Sequence, residues 1–84
     1  MMLTGKTQEF LKAMNAALSE MTESEITDAD LNRSFAELGV DSLMALELVV
    51  LLEREFRLSL TDLEIKTLRS PADVVAIAQA KGIL

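Results

Sequence analysis

Apolar side chains repeat at helical spacing along much of the chain, and no stretch sustains the alternation of a β-strand. The first repeat predicts a helix over residues 6–21, with Thr4 as a plausible N-cap. Its inward positions lie three or four residues apart: Phe10, Met14, Ala17, Leu18 and Met21, with Leu11 at the margin. The methionines on this face are expected to fill the core.

The second helix is predicted to follow Leu38-Gly39-Val40 and to end near Phe56. Gly39 can adopt backbone angles that are closed to other residues, which suits a turn before the helix. Asp41 is a favourable N-cap, because its carboxylate can accept from the free amides of the first turn and lies at the positive end of the helix dipole. From Ser42 onward no Gly, Pro, Asn or Thr interrupts the helix.

This second helix carries two apolar faces. One is the expected core stripe, formed by Ala45, Leu48, Val49, Leu52 and Phe56. Nearly opposite lies a second face, formed by Leu43, Leu46 and Val50, with Glu47 and Arg54 beside it. The helix is therefore either buried all round or built with one face for the core and one for a partner. Periodicity alone leaves these two interpretations even.

The segment between the first two helices is acidic and rich in turn-forming residues, which predicts a long loop over residues 20–37. Its apolar residues are spaced as if the loop were ordered and attached to the core: Ile26, Leu31, Phe35 and Leu38. Asp28 and Asp30 could suggest calcium binding, but the sequence after them has no Gly and no terminal Glu at the spacing of an EF-hand loop. A solvated acidic loop is the favoured interpretation.

Two further helices are predicted after Phe56. Thr61 and Glu64 have the spacing of a capping box, which opens a short helix over residues 62–68. Ser70 as a cap and Pro71 at the first position open the last helix, which Gly82 ends. The predicted fold is all-α, a small four-helix bundle with three longer helices, a short third helix and a long first loop.

Composition narrows the function. The 84 residues suffice for one domain, residues 1–84, without Cys or His and with a net charge of −6. The missing thiol and imidazole remove most nucleophilic and metal chemistry, including a serine hydrolase that would need a base for Ser42. An acidic chain disfavours nucleic acid and favours basic docking partners. No apolar run reaches the length of a membrane span, so we expect a cytoplasmic protein. We also expect a monomer, without a metal ion or a catalytic residue of its own.

Residues 35–48, FAELGVDSLMALEL, resemble the phosphopantetheine attachment region of acyl carrier proteins, most closely those of polyketide synthases. The resemblance extends over nearly the whole chain, through the predicted helix lengths, the acidic first loop and the Ser70-Pro71 start of the last helix. It implies an acyl-carrier-protein-like fold. It also implies that a separate phosphopantetheinyl transferase esterifies Ser42 with 4′-phosphopantetheine from coenzyme A, next to the acidic residue Asp41.

Acyl or polyketide intermediates would then be carried as thioesters between a ketosynthase, an acyltransferase and other synthase enzymes of polyketide or fatty-acid biosynthesis. Leu43, Met44, Leu46 and Glu47 match docking positions of the family, and the second apolar face adds Val50 and Arg54 to the expected docking surface. A chain without Cys cannot form a thioester itself, so a borrowed thiol agrees with the residues.

Two alternatives stay open at this point. Peptidyl carriers often have a different residue before the serine and a non-acidic residue at the position of Glu47, so Asp41 and Glu47 favour acyl over aminoacyl cargo. Fatty-acid carriers usually have a denser run of acids along this helix, where Arg54 here separates Glu53 from Glu55. The alternative in a different class is an unmodified acidic helical adaptor that binds a partner through its second apolar face.

Overall fold

The structure is a computed structural model that describes residues 5–84, and every regular element in this range is helical. In chain order the α-helices are α1 (Gly5–Thr22), α2 (Phe35–Leu38), α3 (Ser42–Phe56), α4 (Asp62–Thr67) and α5 (Pro71–Ala80), and a 3-10 helix spans Asp28–Asp30. The all-α prediction is confirmed for this part of the chain. The predicted N-cap Thr4 lies outside the described residues. No helix within the described range is long and apolar enough to cross a membrane.

The prediction of a long loop was wrong in one respect, because the segment after α1 contains a 3-10 helix and the short helix α2. Both begin with a capping box: Thr27 with Asp30 opens the 3-10 helix, and Ser34 with Glu37 opens α2. In each box a hydroxyl accepts from a backbone amide and a carboxylate accepts in return, so single turns are stabilised without a long apolar repeat. Elements of three and four residues are too short for periodicity to detect.

The core is formed mainly by α1, α3 and α5, together with the loop residues that pack against them. Its largest fully buried side chains are Phe10, Met14, Leu18, Leu48, Leu52, Val49 and Val74. The most extensive helix contact joins α1 to α3. Within it the rings of Phe10 and Phe56 lie 5.0 Å apart at an interplanar angle of 59°, a favourable tilted arrangement. The inward face predicted for α3 is therefore confirmed.

The first loop is attached to the core as predicted. Ile26, Phe35 and Leu38 are buried in the core, and Leu31 is partly buried against the core. Two backbone hydrogen bonds also join the loop to the start of α5: the Phe35 amide donates to the Arg69 carbonyl at 2.8 Å, and the Ala72 amide donates to the Leu31 carbonyl at 2.8 Å. The segment that leads into α3 is thus held from two sides.

The start of α5 differs from its prediction. Pro71 occupies the first turn as expected, but the Ser70 side chain makes no capping hydrogen bond. The Asp73 carboxylate accepts instead from the Arg69 amide at 2.9 Å. An acid at the third helical position can reach back to the chain before the helix, which removes the need for the serine hydroxyl. The helix ends at Ala80, and Gly82 follows with φ of 76°.

Glu64 joins the start of α4 to Lys81, the residue after α5, through one oxygen. Its Oε1 accepts from the Thr61 amide at 2.9 Å, which completes the predicted capping box of α4, and it pairs with Lys81 Nζ at 3.0 Å. The backbone hydrogen bond and the lysine together hold the pKa of Glu64 below its ordinary value of 4.5. A lowered carboxyl pKa contributes stability above the ordinary value, and this contribution is lost as the pH falls through the folded pKa.

We therefore expect Glu64→Gln to weaken the folded protein at neutral pH and to lose less stability than the wild type on acidification below about pH 4.5. Urea denaturation midpoints measured over a pH series test this. Glu9→Gln is the matched control, because Glu9 is exposed and its carboxylate has no hydrogen bond or ion pair among residues 5–84. If the urea midpoints of Glu64→Gln and the wild type fell equally with decreasing pH, the stabilising role of the Glu64 carboxylate would be contradicted.

Candidate functional site

Ser42 is the first residue of α3, and its side chain is exposed. The N-cap is Asp41, in an extended conformation with φ of −86° and ψ of 179°. Its Oδ1 accepts from the Met44 amide at 2.8 Å, and its carbonyl accepts from the Ala45 amide at 2.9 Å. The predicted cap is confirmed, and it fixes the first turn of α3 around the serine.

The turn before the site depends on Gly39. This residue ends α2 with φ of 82°, a left-handed conformation that residues with a Cβ rarely adopt. The chain then closes back on α2, because the Val40 amide donates to the Phe35 carbonyl at 2.8 Å. Val40 and Leu38 are buried on either side of the glycine. Asp41 and Ser42 therefore emerge from a turn that is attached to the core at both ends.

Replacing Gly39 by alanine is expected to lower the free energy of unfolding by about 1 kcal/mol, the approximate cost of a left-handed backbone for an L-residue. Space is not the cause, since an added Cβ would meet nothing within 4 Å. Gly5→Ala is the matched control, because Gly5 lies in a helix without positive φ and its added Cβ is equally unobstructed. Urea denaturation measures both. An equal, small effect of the two variants would contradict the role of the turn.

The first turn of α3 has capacity for an anion. The Met44 amide is taken by Asp41, while the amides of Ser42 and Leu43 have no hydrogen-bond partner among residues 5–84. Free amides at the positive end of a helix dipole favour a negatively charged group. An exposed hydroxyl on the first helical residue is a suitable attachment point for a phosphodiester. Across residues 5–84 there is no cluster of His, Cys, Asp or Glu that could hold a metal ion.

The second apolar face of α3 is exposed, which decides between the two interpretations of its pattern. Leu43 is 63% exposed, Leu46 41% and Val50 43%, whereas the opposite residues Leu48 and Leu52 are 0% exposed. The interpretation of a helix buried all round is therefore wrong. Exposed large apolar side chains grouped on one helix indicate a binding surface.

The other residues expected or found near this face differ in their exposure. Glu47 and Arg54 are exposed beside it, as the sequence predicts. Glu53 instead turns inward, where its Oε2 accepts from the Leu60 amide at 2.9 Å and holds the loop after α3. Met44, expected at the docking surface, is half-buried and packs against the core, so only part of its side chain is available there.

Two further apolar residues with accessible surface were not predicted from the sequence. Leu63 in α4 is 73% exposed, and Leu51 borders a groove of about 390 Å³ with Leu46 and Val50. A helix of six residues is too short for its exposed side to be inferred from periodicity. Leu51 lies between the two faces of α3, so the helical pattern does not decide whether its side chain is buried or exposed. Only the packing of α1 against α3 settles its position.

Comparisons with known proteins find relatives in sequence and in fold. The family profile described as "Phosphopantetheine attachment site" matches residues 9–77. An acyl carrier protein homolog of Mycoplasmopsis pulmonis is 33% identical over 65 residues, covering 77% of this chain and 85% of the relative. An acyl carrier protein of Exiguobacterium sibiricum is 31% identical over 75 residues, covering 88% of this chain and 95% of the relative. The crystal structure of an acyl carrier protein from Thermotoga maritima superimposes with a TM-score of 0.77 at 28% identity, covering 95% and 94% of the two chains.

Proposed function

The chain belongs to the acyl carrier protein family and contains its phosphopantetheine attachment domain, and from this premise we propose that Ser42 bears the prosthetic group. Members of this family are carriers, not enzymes. The observation that supports Ser42 is its position: an exposed hydroxyl on the first residue of α3, beside two amides without partners among residues 5–84.

Each residue of the attachment turn has a role in this proposal. 4′-Phosphopantetheine supplies the thiol that carries acyl groups, which a chain without Cys lacks. The Ser42 and Leu43 amides favour the phosphodiester through hydrogen bonding and the helix dipole. Asp41 holds the first turn through the Met44 amide, so the serine is presented in one orientation. Gly39 allows the chain to approach this turn from the core.

The second apolar face of α3 is the proposed docking surface. Leu43, Leu46 and Val50 supply apolar area, while Glu47 and Arg54 supply charges that select and orient a partner. The net charge of −6 favours enzymes with basic docking surfaces. A phosphopantetheinyl transferase that uses coenzyme A and enzymes such as a ketosynthase or an acyltransferase are the proposed partners. Met44 contributes only its exposed part.

We infer that the cargo is an acyl or polyketide intermediate of polyketide or fatty-acid biosynthesis. Asp41 and Glu47 support acyl over aminoacyl cargo, as in the family resemblance. The proposed organisation is one cytoplasmic, monomeric carrier domain over residues 1–84, in which α1, α3, α4 and α5 form the four-helix frame. Because Glu53 accepts a hydrogen bond from the Leu60 amide, Glu47 and Glu55 are the acids of α3 that are free to contact a partner.

Loading with coenzyme A tests the proposal. The purified protein is incubated with coenzyme A and a broad-specificity phosphopantetheinyl transferase, and its intact mass is measured. We expect a gain of one phosphopantetheine, located by fragmentation to the peptide that contains Ser42. A sample without the transferase is the control and should not gain mass. A group on any other residue would overturn the assignment to Ser42, whereas no gain in mass would overturn the carrier proposal and favour the unmodified adaptor.

A further inference from the structure

A second groove runs between α1 and α3, on the side of α3 that faces α1. Its volume is about 580 Å³, and it is open to solvent. Three alanines of α1, Ala13, Ala16 and Ala17, form one wall, and Met21 and Leu51 line it from the end of α1 and from α3. None of the three alanines belongs to the proposed attachment turn or docking surface.

The wall of the groove is low along Ala13, Ala16 and Ala17, because this part of α1 has only alanines on this side. Alanine projects only a Cβ, so the backbone of α1 is accessible to an approaching chain. Another helix can lie close to such a surface, because interaxial distances shorten when the side chains at the contact are small. Met21 and Leu51 pack against the core and leave the rest of their apolar surface to the groove. The groove thus offers an apolar surface that extends along both helices.

Three carboxylates border the groove from both sides. Glu20 belongs to α1, and Glu47 and Glu55 belong to α3. None of the three has a salt bridge among residues 5–84, where the ion pairs are Arg33 with Asp30 and Lys81 with Glu64. Like charges on opposite sides of one groove repel each other, and a positively charged occupant would relieve that repulsion.

We propose that this groove binds a basic amphipathic helix of a partner protein, with small or apolar residues against the alanines and Lys or Arg residues against the three glutamates. Charge complementarity decides between occupants. A second copy of this chain would bring more acids to the groove, because the chain carries 14 acidic and 8 basic residues. An acyl chain would leave the carboxylates unpaired. The site is independent of Ser42 and of its modification.

The groove also adjoins the proposed docking surface. Met21, Glu47 and Leu51 line both this groove and the smaller groove beside Leu46 and Val50. A partner that engages the docking surface could therefore extend a basic helix over Leu51 onto α1. Binding to α1 would add a second helix to the interface, so it would restrict rotation of the carrier about the long axis of α3 more than contacts to α3 alone. The inferred interaction thus gives orientation as well as affinity.

The test uses the unmodified protein, so its outcome does not depend on loading at Ser42. The probe is a synthetic helical peptide with Lys and Arg along one side and Ala and Leu along the other, titrated into isotopically labelled protein at physiological salt. We expect chemical shift changes that concentrate at Ala13, Ala16, Ala17 and Leu51. A peptide with Glu in place of the basic residues should leave these signals unchanged.

Two variants test where the peptide binds. Ala16→Leu fills the groove without a change of charge, and Ala76→Leu makes the same exchange at an exposed position of α5. Glu20→Gln removes one border carboxylate, and Glu25→Gln removes an exposed carboxylate that does not line the groove. We expect Ala16→Leu and Glu20→Gln to weaken binding by about fivefold or more and both controls to bind as the wild type. Shift changes spread over the acidic surface, or equal effects of variants and controls, would overturn the proposal.

Discussion

Leu52→Ala is expected to lower the free energy of unfolding by about 2–5 kcal/mol. The Leu52 side chain is 0% exposed and belongs to the core stripe of α3. Its loss removes buried apolar surface and leaves a cavity that close-packed neighbours fill only in part. A domain of this size has few kcal/mol to spare, so the variant should unfold at a much lower urea concentration.

Leu46→Ala is the matched control, because it makes the same exchange six residues away on the same helix. Leu46 is 41% exposed, so its truncation should change the free energy of unfolding by about 0.5 kcal/mol or less. Urea denaturation followed by far-ultraviolet circular dichroism measures both variants. The Leu46 variant should instead slow the reactions of the carrier with its partner enzymes. Equal destabilisation by the two substitutions would contradict the assignment of separate core and docking faces.

The two faces of α3 could be predicted because fifteen residues provide several helical turns for a pattern to repeat. The sequence could place Leu48 and Leu52 opposite Leu46 but could not decide whether the second face was covered. That decision depends on whether another helix lies over it, which is a property of tertiary packing. The exposed fractions supplied by the structure settle it.

Local chemistry explains which details of the attachment site could be predicted. The cap at Asp41 and the turn at Gly39 depend on residues adjacent in sequence, and both are observed. The inward direction of Glu53 depends on the loop after α3 folding back, so that the Leu60 amide meets a carboxylate seven residues earlier. Sequence periodicity does not contain that contact. The same is true of Met44, whose partial burial depends on packing against the core.

The groove between α1 and α3 could not be inferred from either helix alone. In the sequence, Ala13, Ala16 and Ala17 are ordinary helix-forming residues. They form a groove only together with Leu51 and Glu47 of α3. The sequence predicted Ala17 and Met21 as inward positions of α1, and both are half-buried and border the groove. Positions predicted to face inward can thus also form part of the wall of a surface groove once a second helix packs beside them.

Ser42→Ala is expected to abolish loading by the transferase completely, the largest effect proposed for any residue of this chain. The reason is covalent, because without Oγ this position has no side-chain hydroxyl that can form the phosphodiester. The substitution should leave the fold intact, because the Ser42 side chain is exposed and alanine favours a helix. Circular dichroism and urea denaturation of the variant should therefore match the wild type to within about 0.5 kcal/mol.

Ser59→Ala provides the matched control, because Ser59 is also exposed but lies outside the helices, in the loop after α3. It should gain one phosphopantetheine as the wild type does, whereas Ser42→Ala should gain none under the same conditions. A stable, folded Ser42→Ala that still accepts the group would show that another hydroxyl is the acceptor. Because the fold is measured separately, a lack of loading in this variant can be attributed to the missing hydroxyl. The exposed serine at the start of α3 would then be the attachment site of the carrier.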